Sequence, residues 1–82
     1  MTVRPFDLVE VGNRIRTARE EKGWTLSALT RKMKGISDKF RISVSHLSQI
    51  ENGKVGLSLS TAVRLAIVLG RSIDWFVWGG KT

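Results

Sequence analysis

Apolar residues recur three and four positions apart in five stretches of this 82-residue chain, and no stretch alternates convincingly with period two. That periodicity narrows the outcome to helices, each burying one stripe against its neighbours. The first stretch, about 7–22, sets Leu8, Val11, Ile15 and Ala18 on one face. Asp7 and Glu10 open it in the pattern of a capping box, and Gly23 closes it. The second follows Thr25 as N-cap, with Leu26, Leu29 and Met33 facing inward and Trp24 placed to staple onto Leu29. Residues 34–42 break the period: Gly35, Ser37 and Asp38 are turn formers, Ile36, Phe40 and Ile42 small anchors, and Lys34, Lys39 and Arg41 make the segment basic. The third stretch, 44–52, lies between Ser43 and Gly53, and the fourth, 59–69, between Ser58 and Gly70. The fourth is apolar nearly all round and reads as the buried centre of a bundle. The fifth, 72–78, is short, with Ser72 as cap and Ile73, Phe76 and Val77 facing in. The expected fold is all-α, five helices in a single domain over residues 1–82.

The third helix is the odd one. At roughly 100° per residue, Val44, Leu47 and Ile50 form its core stripe, while Ser45, Ser48, Gln49 and Asn52 share the opposite side. Glu51 falls at one edge of the core stripe and His46 at the other. Yet the chain carries 14 Lys+Arg against 7 Asp+Glu, a net charge of +7. A small domain this basic usually meets a polyanion. A neutral hydrogen-bonding face inside a basic chain suits a division of labour: cations hold phosphates, and uncharged donors and acceptors read base edges. A carboxamide matches the N7/N6 edge of adenine, and short hydroxyls let a helix approach the groove floor. Arg31, Lys32, Lys34, Lys39 and Arg41 before the helix and Lys54 after it bracket this face.

Other chemistries find little support. There is no cysteine, hence no disulfide or thiolate metal site, which fits a reducing cytoplasm. The N-terminus MTVRPFDLVE lacks the apolar region of a signal peptide, and the longest apolar run, 65–69, is far short of the ~20 residues that span a bilayer. No helix joins a lysine-rich face to a large exposed apolar one, so no membrane partner is expected. His46 is the sole histidine, the carboxylates are scattered or explained by caps and pairing, and no nucleophile or phosphate-loop motif occurs. No catalytic residue, metal or cofactor is expected.

The segments V-G-N-R-I-R-T-A-R-E-E-K-G-W-T (11–25), L-T-R-K-M (29–33), I-S-V-S-H-L-S-Q-I-E-N-G-K (42–54) and S-L-S-T-A-V-R-L-A-I-V-L-G (58–70) resemble the lambda-repressor-like, Cro/XRE-type helix-turn-helix domains. The resemblance covers about 11–78, with the helix-turn-helix over about 25–53. It implies a compact five-helix, double-stranded-DNA-binding regulator, a repressor that often acts as a homodimer. By position it gives base readout to Val44, Ser45, Ser48 and Gln49, and phosphate contacts to Asn52 and Lys54. It pairs Arg19 with Glu51 as a structural ion pair pinning the reading helix to helix one. The chain departs from the family pattern where the connection from Met33 to Ile42 is about seven residues longer than the usual tight turn, an insertion that is either a neutral loop or one whose Lys39 and Arg41 touch phosphates. Thr30 replaces the usual small alanine, and Leu26 stands where a polar DNA contact is common. Trp75 and Trp78, three apart near the C-terminus, mark a dimer interface over about 72–80. Two alternatives remain: an antitoxin, partnered by a toxin and repressing its own promoter, or a protein-interaction module that reads no DNA.

Overall fold

Five side-chain oxygens start the five helices. The structure, a computed structural model, describes residues 7–35 and 41–79. Within them lie α1 (Leu8–Glu21), α2 (Leu26–Lys34), α3 (Val44–Glu51), α4 (Leu59–Leu69) and α5 (Ile73–Trp78). Asp7, Thr25, Ser43, Ser58 and Ser72 are the N-caps, each accepting from a first-turn backbone N–H. The reciprocal half of the expected capping box is not made. Glu10 turns instead toward Arg14, 3.6 Å away on the next turn, and the Asp7 side chain accepts from the Val9 N–H.

The core is drawn from every helix: Val11, Ile15 and Ala18 of α1, Leu29 and Met33 of α2, Leu47 and Ile50 of α3, Leu65 and Leu69 of α4, Phe76 of α5. Trp24, Leu26 and Ile42 pack against it half-buried. The first helix is the hub, contacting α3, α4 and α5, while α2 lies against α3 and α4. Arg14 ties α1 to α5 by donating from Nη1 to the carbonyls of Phe76 and Val77, both at 2.9 Å. Those carbonyls belong to the last turn of α5, where no intrahelical N–H remains to meet them.

The fourth helix corrects the sequence reading. It is not surrounded: Leu65, Leu69 and Thr61 are buried, but Leu59, Val63 and Ile67, on the opposite side, are 75%, 40% and 62% exposed. A domain of this length has too few neighbouring helices to cover both sides of one of its own. Among the described residues no helix is long and apolar enough to cross a membrane, and no group of three His, Cys, Asp or Glu residues is placed to hold a metal ion.

Candidate nucleic-acid interface

The third helix is held by its buried side. Leu47 and Ile50 are buried, and Glu51 joins them at 2% exposure, whereas Val44 is 41% exposed. The helix is therefore rolled relative to the sequence reading, which placed Val44 in the core stripe and Glu51 at its edge. Two features drive the roll. Arg19 meets the Glu51 carboxylate with both Nε (2.8 Å) and Nη2 (3.0 Å), and Arg16 lies 3.5 Å from the same group. The hydrogen bonds that Arg19 donates to Glu51 raise its pKa above the ordinary value, against the lowering effect of burial. Arg19 also donates from Nη1 to the Trp24 carbonyl at 2.7 Å, so one guanidinium joins α1, the start of α2 and the end of α3.

Close backbone approach is the second feature. A Cβ on Gly12 would stand 2.5 Å from the Ile50 carbonyl oxygen and closer still to that of Glu51. Only glycine lets α1 and α3 cross here. At the end of α3, Gly53 has φ +72°, and its N–H donates to Ile50 while the N–H of Lys54 donates to Gln49. This pair of bonds is a Schellman closure, which needs the left-handed residue glycine supplies.

The opposite side faces outward. Ser45, His46 and Gln49 are exposed and Ser48 is half-buried. Asn52, the C-cap, is exposed, and its Oδ1 accepts from Arg16 Nη2 at 2.6 Å while its Nδ2 lies 3.5 Å from Ser48 Oγ. The amide N–H₂ of Asn52 keeps a hydrogen free for an outside acceptor. Lys54 and Arg41 are exposed, one beyond each end of the helix. Lys39 lies outside the described residues, as do the rest of 36–40 and residue 80 of the expected dimer region.

Two residues that position this surface escaped the sequence reading. Arg16 brings a guanidinium beside Asn52; its position three before Arg19, on the same side of α1, is the only trace of it in the sequence. Gly12 carries no sequence signal, because its role depends on how near the helices pass. At the C-terminal end, Trp75 is half-buried, edge-on to Phe76 at 5.6 Å and covered by the Arg71 guanidinium at 4.4 Å. Trp78 is 37% exposed.

Residues 15–76 match the family model described as helix-turn-helix. Among solved structures, the chain is similar to the restriction-modification controller protein C.AhdI from Aeromonas hydrophila: TM-score 0.72 at 26% sequence identity, over 85% of this chain and 96% of that one. A comparison with curated proteins finds no match.

Proposed function

Because the chain belongs to the Cro/C1-type helix-turn-helix family of DNA-binding regulators, we propose that it is a sequence-specific repressor that reads the major groove with residues 44–52. The observation that carries this reading is the uncharged hydrogen-bonding surface of α3, turned outward by an ion pair and a glycine contact on its other side. Ser45, Ser48 and Gln49 supply donors and acceptors to base edges, and exposed Val44 supplies an apolar contact of the kind a thymine methyl takes. Asn52, Lys54 and Arg41 hold backbone phosphates, with Lys39 as a further candidate, and Arg16 orients Asn52. The reading is one of binding rather than catalysis. Likeness to a controller protein extends it to control of a promoter.

A palindromic operator calls for a two-fold protein, so the proposal includes a homodimer through about 72–80, with exposed Trp78 at its centre and Trp75 behind it. The α4 stripe of Leu59, Val63 and Ile67 favours a second reading, an interaction module that binds a protein and reads no DNA.

Selection of bound duplexes from a random pool, with the parent chain and with Gln49→Ala, tests the proposal. A palindrome enriched by the parent and blurred at particular positions by the variant supports both readout and dimer. Binding without enrichment rules out base reading. No binding leaves the interaction module. Light scattering that finds a monomer at high concentration and on DNA removes the dimer.

A further inference from the structure

Most of the described cations are engaged within the protein. Arg14 meets the end of α5, Arg16 and Arg19 meet Glu51, Lys22 and Lys32 lie over the Trp24 ring, and Arg71 lies on Trp75 and Glu21. Arg64 is engaged as well. Among the described residues, Arg31, Lys34, Arg41 and Lys54 alone make no such contact. Three of these four line one cavity of about 410 Å³ between the end of α2 and the start of α3, together with Thr30, Ile42 and Ser43. Among the described residues no carboxylate lines it.

The hydroxyls are disposed unequally. Thr30 donates its proton to the Ser27 carbonyl at 2.7 Å. Ser43 Oγ accepts from the His46 N–H at 3.0 Å, which leaves its own O–H to donate into the cavity. Two guanidiniums, an ammonium and a hydroxyl are all donors, and guanidinium forks match the oxygens of a phosphoryl group.

We propose that this cavity binds a phosphoryl group, held by Arg31, Lys34, Arg41 and the Ser43 hydroxyl. Two sources carry that chemistry: a DNA backbone phosphate, or a free phosphorylated small molecule. The first rests on the DNA-reading proposal and places an anchor at the N-terminal end of the reading helix; the second does not depend on it. The cavity falls within the range of about 300–1,000 Å³ typical of small-molecule sites. Three cations also balance a dianionic monoester or diphosphate more closely than one singly charged diester.

Pyrophosphate titrated into the full chain at constant ionic strength, followed by amide NMR, tests the free source. Saturable shifts at residues 30–34 and 41–46, weakened up to about fivefold for each cation replaced by glutamine, assign the cavity to free phosphoryl ligands. The DNA source is tested by the salt dependence of binding to the selected duplex. Without saturable shifts, a slope in log K against log salt that falls by about 0.9 or more in R31Q/K34Q/R41Q, with the same sequence still enriched, assigns the cavity to the DNA backbone. R41Q alone replaces the triple variant if the latter loses its helical circular dichroism. The absence of both effects overturns the proposal. If the parent enriches no DNA, the DNA reading fails and the pyrophosphate arm alone decides: saturable shifts support the site, and their absence overturns it.

Discussion

Glu51 is the one acidic residue among those described that the fold removes from water. Its burial is tolerable because Arg19 meets it with two nitrogens. Arg19→Ala leaves that carboxylate with only the longer contact to Arg16, and is expected to cost about 3–5 kcal/mol in urea denaturation. The exposed partner matters less: Arg16→Ala should cost at most about 1 kcal/mol. Replacing Arg19 and Glu51 together by apolar residues should recover much of the Arg19→Ala loss. Since Glu51 raises the Arg19 pKa, the arginine's share of stability is complete below its unfolded pKa and is lost only as pH climbs through the higher folded one. A loss linked to deprotonation of Arg19 therefore belongs in strong alkali. Gly12→Ala should also destabilise, by about 1–3 kcal/mol, and should weaken DNA binding beyond what the lost stability explains, because α3 must shift to admit the methyl. The wheel placed Glu51 near the core because residue angle is written in the sequence. Gly12 and Arg16 were not legible, since their roles depend on the distance at which two helices cross.

At the scale of helices, caps were the most legible feature: Thr25, Ser43, Ser58 and Ser72 each accept from the expected first turn, since a cap depends only on residues a few positions away. The fourth helix was misread because apolar composition tells how many residues can be buried, not how many neighbours exist to bury them. Leu65→Ala, at full burial, should cost about 2–5 kcal/mol. Ile67→Ser, on the outer stripe, should change the stability of the isolated chain by no more than about 0.5 kcal/mol. Thermal melts of both variants, with light scattering of the second, separate core from contact surface. A changed association state in Ile67→Ser alone would place a protein partner or a second copy on α4.

Across the whole molecule the fold class was legible because an 82-residue chain with helical periods throughout has few other ways to bury its apolar residues. Its charge was legible only as a total. Among the described residues, the structure separates cations engaged within the fold from a few left facing outward near the two ends of α3.

The crossing at Gly12 has a consequence for how such a chain can change. With α3 seated directly on α1, the direction of α3 is indexed to the first helix rather than to the residues leading into it. On the DNA-reading proposal, changes in the length or composition of the 36–40 connection should leave the addressed DNA sequence the same. Deleting residues from that connection should leave the selected duplex unchanged, and a protein built this way can lengthen or shorten that stretch of sequence without rewriting its target.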